Sequence, residues 1–175
     1  MSGMDKIYAP WRQSYVEDID TKTSRFSEST KCVFCVAFKG KNDAKSFILR
    51  RTESTVTMLN LYPYIGGHLM VLPYEHKGEL FELTQEVRAV IMEEVNFALE
   101  ALKKSINPHG FNVGLNLGDA GGGGIPSHLH MHVLPRWHGD TNFMPILSNT
   151  KPVSCSLESI YEKLSPYFTS EEEAK

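Results

Sequence analysis

The sequence has few cysteines, no large excess of either charge and no long apolar run, and each absence excludes a class of protein. Lysine and arginine number 18 against 21 acidic residues, so the formal net charge of −3 gives no chain-wide positive field for binding duplex nucleic acid. Nowhere do about 18 apolar residues run uninterrupted, as a membrane-spanning helix requires. Residues 1–20 contain no signal-peptide core. We therefore expect a cytoplasmic protein that binds neither a membrane nor duplex nucleic acid.

The cysteines do not form a disulfide framework. The chain has 3 cysteines in 175 residues, an odd number in a protein large enough to fold without cross-links. Cys32 and Cys35 are spaced as Cys-Val-Phe-Cys, which suits a metal or redox pair better than a structural disulfide. Cys155 stands alone, and we interpret it as an inert small hydrophobic residue.

What the sequence does contain is typical of one globular domain. Hydrophobic residues make up 41% and charged residues 22%, close to ordinary globular usage. A chain of this length buries roughly 70% of the surface that it exposes when unfolded. We expect a single domain over residues 1–175, with an N-terminal arm at 1–31 and a C-terminal extension at 146–175.

Hydrophobic periodicity predicts a sheet interrupted by one long helix. Residues 47–51 and 55–59 are rich in β-branched and large apolar side chains on either side of a polar turn, which indicates a hairpin. Thr84 can cap a helix whose apolar residues recur at intervals of three and four up to Asn107. Further strands are predicted at 68–73, 111–117 and 129–135, and a short amphipathic stretch at 157–164.

The segment His128-Leu129-His130-Met131-His132-Val133-Leu134 is the most informative in the chain. Side chains alternate across a strand, so the three histidines share one face while the apolar residues between them share the other. Packing alone explains this poorly, because aliphatic residues seal a strand better than histidine does. A reactive face and a metal cluster both remain as interpretations.

These residues resemble the signature of the histidine triad nucleotide-binding proteins, in which three histidines alternate with apolar residues. The flanking segments 9–12, 135–137 and 139–143 look like the bacterial branch related to diadenosine tetraphosphate phosphorylases and hydrolases. The resemblance covers roughly residues 7–145. It implies an α+β fold with a five-stranded, mainly antiparallel sheet and one long helix. It also implies a homodimer whose two sheets join into a continuous ten-stranded sheet.

The resemblance further implies a reaction at the α-phosphate of a nucleotide, with all three triad histidines, His128, His130 and His132, in the catalytic site. His130 is the expected nucleophile, and its nucleotidyl-histidine intermediate would pass the nucleotidyl group to phosphate or to water. A partly neutral imidazole can attack phosphorus near pH 7, and a covalent relay divides one difficult displacement into two. His132 is expected to bind the phosphate or protonate the leaving group. A backbone carbonyl is the expected partner of the other ring nitrogen of His130.

Two positions before the helix match the family's nucleotide site. Asn60 lies eight residues before His68, as in the family segment whose Asn or Asp binds the ribose. The competing interpretations are a turn residue for Asn60 and a half-buried strand start for His68.

Four positions after the helix are candidates for binding phosphate. Asn116 resembles the family's amide residue near the phosphates, although a solvent-facing side chain is the simpler interpretation. Gly123 and Gly124 end a glycine run that can turn backbone N–H groups toward an anion. Many relatives carry Gln, Ser or Thr between the glycines and the triad. This chain departs from that pattern, and Ser127 is the candidate substitute.

The cysteine pair resembles that of the zinc-bearing family members. By that resemblance Cys32 and Cys35 would join His76 and His128 in a closed Cys2His2 site, in which zinc has a structural role. The alternatives are a pair of buried thiols and a redox pair, the latter disfavoured because no strand-to-helix βαβ context surrounds it. No organic cofactor is expected.

The first functional hypothesis is therefore an enzyme that cleaves dinucleoside polyphosphates, with AMP and ADP among its nucleotide ligands. The second is a nucleotide-binding regulatory module, or an adenosine phosphoramidate hydrolase, with slow turnover. A third is a metallohydrolase whose three triad histidines hold a catalytic zinc. The intact His130 favours the first.

Overall fold

A computed structural model describes residues 32–118, 120–141 and 155–168 of the chain. The predicted N-terminal arm, residues 1–31, and part of the predicted C-terminal extension lie outside the described residues. Three helices and five strands are described, together with short 3₁₀ turns. In chain order they are α1 (Val33–Lys39), β1 (Ile48–Arg51), β2 (Thr55–Leu59), β3 (Leu69–Pro73), α2 (Gln85–Ile106), β4 (Gly110–Leu115), β5 (Met131–Arg136) and α3 (Leu157–Leu164).

The five strands form one antiparallel sheet in the order β1-β2-β3-β5-β4. The predicted hairpin is confirmed as β1 and β2, with Arg51 opposite Val56. The long helix α2 connects β3 to β4, and β5 then inserts between those two strands. His132 consequently has Met70 of β3 on one side and Gly114 of β4 on the other. The α+β fold with a five-stranded sheet is as predicted.

Both faces of the central strands are covered, which explains why β3 is apolar throughout. Leu69 and Val71 face a core formed with α2 and α3, whereas Met70 and Leu72 face a second core formed with α1. A strand buried on both faces loses the alternation of apolar and polar residues. The sheet therefore separates two layers, and the side chains that point toward α1 form a different set from those under α2.

The long helix begins and ends where the sequence predicts. The hydroxyl of Thr84 accepts a hydrogen bond from the backbone N–H of Val87 at 3.3 Å, which satisfies a donor that the first turn leaves unpaired. Asn107 ends the helix in the left-handed region with φ of 43°, a conformation that asparagine tolerates. Buried residues on one side of α2, such as Ile91 and Leu102, pack on the sheet.

Two predicted details are wrong, and one element was missed. β4 ends at Leu115, so Asn116 follows the strand instead of lying within it. β5 begins at Met131 and not at Leu129. The backbone N–H of Leu129 donates instead to the carbonyl of Lys77, outside the sheet, at 2.7 Å. The sequence analysis also missed α1. This seven-residue helix has no side-chain cap and is too short to be stable alone, so packing against the sheet holds it.

The amphipathic stretch near the end of the chain forms α3, as predicted. Ile160 and Leu164 join the core under α2, and Phe168 follows them with 1% of its surface exposed. The hydroxyl of Tyr161 donates to the carbonyl of Ile48 at 3.1 Å and ties α3 to the first strand. Among the helices of the described ranges, none is both long and apolar enough to cross a membrane.

Candidate active site and metal cluster

The triad histidines lie on the α1 side of the sheet, opposite the apolar residues that alternate with them. Leu129, Met131 and Val133 belong to the core under α2. The rings of His130 and His132 are 4.9 Å apart between centroids at an angle of 77°. The predicted separation into two faces is therefore present, although only His132 of the three lies within the strand.

The contacts of His130 define which ring nitrogen can react. Nδ1 lies 2.8 Å from the carbonyl oxygen of His128. Because a carbonyl oxygen only accepts, Nδ1 carries the proton and Nε2 keeps a lone pair in the neutral ring. Only 7% of the residue is exposed, and this burial lowers the pKa of His130 even though the hydrogen bond to the carbonyl raises it. The imidazole is therefore a neutral base with a defined tautomer near pH 7.

A chain of hydrogen bonds assigns the proton on His132. The backbone N–H of Tyr64 donates to Nδ1 of His68 at 3.2 Å, so neutral His68 carries its own proton on Nε2. That nitrogen lies 2.9 Å from Nδ1 of His132 and donates to it. His132 then carries its proton on Nε2. The pair of buried rings thus gives the site a hydrogen-bond donor beside the His130 ring.

Asn60 lies next to this chain of hydrogen bonds. Its Nδ2 is 3.4 Å from Nδ1 of His68, and its Oδ1 accepts from the backbone N–H of Tyr62 at 2.9 Å. The backbone N–H of Asn60 also donates to the carbonyl of His68 at 2.9 Å. The turn between the two residues therefore closes on itself and fixes both side chains.

Asn116 and the glycine run form a compact loop after β4. The N–H of Gly123 donates to the carbonyl of Gly118 at 3.3 Å, and a Cβ on Gly123 would lie 3.1 Å from the carbonyl oxygen of Asn116. A Cβ on Gly121 would lie 2.2 Å from the carbonyl oxygen of Leu117, so only glycine fits there. Two further candidates, Gly124 and Ser127, are half-buried between this loop and His128.

Cys32, Cys35, His76 and His128 converge as the sequence predicts for a metal site, with their ligand atoms all within 4.8 Å of one another. The Nδ1 atoms of His76 and His128 are 3.4 Å apart. Each cysteine Sγ lies 3.4 to 3.5 Å from a histidine Nδ1. A tetrahedron with the usual zinc bond lengths has N–N and S–N edges of about 3.4 and 3.6 Å. The four donors therefore fit tetrahedral zinc.

The protonation of the cluster also fits a metal site. Nε2 of His128 lies 2.9 Å from the carbonyl of Pro73 and donates to it, so Nδ1 faces the cysteines with a lone pair. Burial, assisted by neighbouring histidines, lowers the pKa of His128 to about 4. Burial first, and then the neighbouring Cys32, raise the pKa of the Cys35 thiol to about 11. A bound cation reverses that preference, because it stabilises the thiolate.

The sequence analysis missed two residues of the site. Tyr64 fixes the tautomer of His68 through its backbone, and its ring lies 4.8 Å from that of His68. Phe34 places its ring 5.4 Å from the rings of both His128 and His130. The available signal was position: Phe34 lies between the two cysteines, and Tyr64 lies between Asn60 and His68.

Comparisons with known proteins concern the family of the chain. The HIT domain family matches residues 41–139 of the chain. A Mycobacterium tuberculosis protein named AP-4-A phosphorylase is 37% identical over 150 residues, which is 86% of this chain and 77% of the relative. A Schizosaccharomyces pombe protein named adenosine 5'-monophosphoramidase is 31% identical over 105 residues, covering 60% of this chain and 74% of the relative.

A solved structure supports the same fold. A Zn-bound histidine triad family protein from Mycobacterium smegmatis superposes with a TM-score of 0.67, covering 85% of this chain and 100% of that chain at 24% identity. That similarity shows the fold alone. The matched family domain and the 37% identical relative show that the chain is related to the family by sequence. On these grounds, the chain belongs to the HIT domain family.

Proposed function

We propose that this protein is a nucleotide hydrolase or nucleotidyltransferase that cleaves dinucleoside polyphosphates, such as diadenosine tetraphosphate, through a nucleotidyl group on His130. The observation that carries the proposal is the hydrogen bond from Nδ1 of His130 to the carbonyl of His128, 2.8 Å long. It leaves Nε2 as a neutral nucleophile. The relative named AP-4-A phosphorylase supports this class of substrate.

The reaction proceeds in two displacements at the α-phosphorus. Nε2 of His130 forms a bond to phosphorus while the bond to the bridging oxygen breaks, and the polyphosphate leaves on that oxygen. His132 carries a proton on Nε2 and donates a hydrogen bond to the departing oxygen, which leaves as an anion. In the second step an oxygen of inorganic phosphate or water attacks the same phosphorus, and an attacking water releases its proton to the solvent. The P–N bond then breaks, and its electron pair returns to His130.

The remaining candidates have binding roles in this proposal. Asn60 binds the ribose through its carboxamide, supported by the position of that amide beside His68. Asn116, Gly123, Gly124 and Ser127 bind the phosphates, supported by the compact loop that ends next to His128. Backbone N–H groups in such loops bind anions without requiring a charged side chain.

Product analysis combined with adduct trapping tests the proposal. Diadenosine tetraphosphate is incubated with the protein, with and without inorganic phosphate. ATP plus ADP indicates phosphate as the acceptor, and ATP plus AMP indicates water. Rapid quenching at alkaline pH, which spares a P–N bond, followed by mass spectrometry of peptides locates the adenylyl group. We expect it on His130.

Substitutions of histidine provide the control. We expect His130→Asn to lose turnover by roughly 1000-fold or more and to form no adduct, while still binding AMP. His138→Asn changes an exposed histidine whose ring contacts His109 instead of the triad, and it should leave turnover unchanged. An adduct on another side chain, or full activity in His130→Asn, would refute the proposal.

A second substrate class uses the same chemistry. The relative named adenosine 5'-monophosphoramidase supports an adenosine phosphoramidate as substrate, in which an amine takes the place of the departing polyphosphate. The specificity constants for the two substrates, measured on one preparation, decide between them. Binding of nucleotide without turnover of either would favour the regulatory module.

A structural zinc ion belongs to this proposal. Cys32, Cys35, His76 and His128 would hold it, and four protein ligands leave no open position for water. The ion would supply a cross-link between α1 and the sheet. Because His128 takes part in that site, the metallohydrolase hypothesis, with all three triad histidines on one catalytic zinc, is less well supported. Metal analysis of protein purified without added zinc tests the stoichiometry.

A homodimer through β4 completes the proposal. β4 is an edge strand of the sheet, and Val113 on it is 43% exposed although its partner Val133 is fully buried. An exposed apolar edge pairs readily with another strand. We expect Val113→Lys to reduce the mass measured by light scattering, and Met92→Lys, at an exposed apolar residue of α2, to leave it unchanged. Equal masses for both variants would exclude this interface.

A further inference from the structure

Phe34 lies between the two cysteines of the candidate metal cluster, yet its ring packs against the triad. Cys32 is the N-cap of α1, and Phe34 and Cys35 are buried in the first turn. The ring centroid of Phe34 lies 5.4 Å from that of His128 at 77° and 5.4 Å from that of His130 at 49°. One side chain of α1 therefore contacts both a metal-ligand candidate and the proposed nucleophile.

This second contact matters because one hydrogen bond does not fix an imidazole ring. With only the bond from Nδ1 to the carbonyl of His128, the ring of His130 can still pivot through small rotations about its Cα–Cβ and Cβ–Cγ bonds. A pivot of that kind changes the direction of the Nε2 lone pair. Phe34 is 7% exposed, so its ring has little freedom to move, and it limits the pivot by close packing.

We infer that Phe34 is a positioning residue for the nucleophile, and that its ring holds the imidazole of His130 in the plane from which Nε2 reaches the α-phosphorus. The inference rests on the proposed function of His130. It differs from a role in stability alone, because it predicts a specific loss of the adenylyl-transfer step. Displacement of a reacting atom by about 1 Å costs roughly 100-fold in rate.

Phe38 supplies a matched control on the same helix. It lies one turn further along α1 and packs in the same core. Its ring contacts are with His128 at 5.6 Å and with Tyr74 at 5.5 Å. Truncation of Phe38 therefore removes an aromatic ring of equal size from the helix and from the metal-ligand candidate while leaving the ring packed on His130 in place.

The experiment compares Phe34→Ala, Phe34→Leu and Phe38→Ala with the unmodified protein. For each we measure metal content, the dissociation constant for AMP, and the single-turnover rate of adenylyl-His130 formation from diadenosine tetraphosphate. A fourth measurement is independent of catalysis: the ring signals of His130 in NMR spectra of histidine-labelled protein, assigned with His130→Asn. An aromatic ring at this distance shifts those signals, so they report directly on the packing.

For Phe34→Ala we expect adduct formation to slow by roughly 10- to 100-fold, with the AMP dissociation constant and the metal content close to those of the unmodified protein. The His130 ring signals should move. Phe38→Ala should change neither the rate nor those signals, and Phe34→Leu should fall between. Where Phe34→Ala does not fold, Phe34→Leu decides by the same comparison with Phe38→Ala.

Two results overturn the inference. One is an equal effect of Phe34 and Phe38 substitutions on adduct formation, and the other is an unchanged set of His130 ring signals in the Phe34 variants. Failure of the proposed function has a different signature, because the unmodified protein then forms no adduct on His130. In that case the His130 ring signals still report, independently of the chemistry, whether the Phe34 ring packs on His130.

Discussion

A single added methyl group at Gly78 should disturb the whole site. A Cβ built on Gly78 lies 2.3 Å from the carbonyl oxygen of Pro126 and 3.3 Å from Cα of Ser127. Ordinary carbon–oxygen contacts begin about 1 Å further out, and both neighbours are backbone atoms that cannot rotate away. Gly78→Ala therefore requires the segment before His128 to move by about that distance.

The cost follows from this overlap. Overpacking of this kind destabilises proteins by about 1 to 3 kcal/mol, and each kcal/mol lowers the melting temperature of a domain of this size by roughly 2 to 4 °C. A displacement of the carbonyl of His128 also turns the ring of His130, so turnover should fall by roughly 100-fold. Stability and activity should therefore decrease together.

Calorimetric melting and diadenosine tetraphosphate turnover check this prediction against a matched variant. Gly110→Ala adds the same methyl group where no heavy atom lies within 4 Å, so only a small change from backbone and strand effects is expected. Gly78→Ala should melt several degrees lower than Gly110→Ala, by the conversion above. If the two variants melt together and both retain full turnover, the close approach of Gly78 to Pro126 does not govern the site.

Three further predictions concern the metal cluster and the two helices that pack under the sheet. Burial and Cys32 raise the pKa of the Cys35 thiol to about 11, so zinc must displace a proton at pH 7 and its apparent affinity should increase with pH. Calorimetry in buffers of different ionisation enthalpy counts the released proton. A zinc affinity that does not depend on pH would contradict the assignment of Cys35 as a ligand. Thr84→Ala removes the cap of α2 and should lower the free energy of unfolding by about 1 kcal/mol, whereas Thr84→Ser should preserve it; both are read from denaturant titrations. Tyr161→Phe removes the hydrogen bond to the carbonyl of Ile48 and should lower the free energy of unfolding by about 1 kcal/mol without changing turnover. A loss of turnover in this variant would contradict a purely structural role for α3.

Much of the fold could be predicted because its signals are local. The hairpin and the capped helix α2 arise from periodicity and turn residues within short windows. α1 could not be found in this way, since seven residues without a side-chain cap carry no strong propensity. The start of β5 was misplaced for a similar reason: the N–H of Leu129 pairs with Lys77, which is distant in sequence.

The candidate site likewise has one part that the sequence predicted and another that it did not. Alternation within the triad was sufficient to predict that its histidines face away from the core of Leu129 and Val133. Arg136 and Asp140, which lie in the flanking segments that carry the resemblance, form an ion pair, with Nη2 of Arg136 2.8 Å from Oδ1 of Asp140. That pair holds the turn after β5, where Asp140 also accepts from the backbone N–H of Trp137.

The sequence by itself determined the capped helix α2 and the strand that places histidines on one face and apolar residues on the other. Both depend on neighbours only a few positions apart. The tertiary structure decided which ring nitrogen carries the proton in His68 and in the three triad histidines. A ring nitrogen keeps or gives up its proton according to the atom that it meets, and for His68, His128 and His130 that atom belongs to a backbone group at Tyr64, Pro73 or His128. Such partners are carbonyls and amides common to every residue, so no pattern of side chains identifies them, and the carbonyl expected beside His130 came from the family resemblance alone. Only the folded chain brings them within hydrogen-bond distance and distinguishes the proposed nucleophile, the neighbouring donor and the metal-ligand candidate.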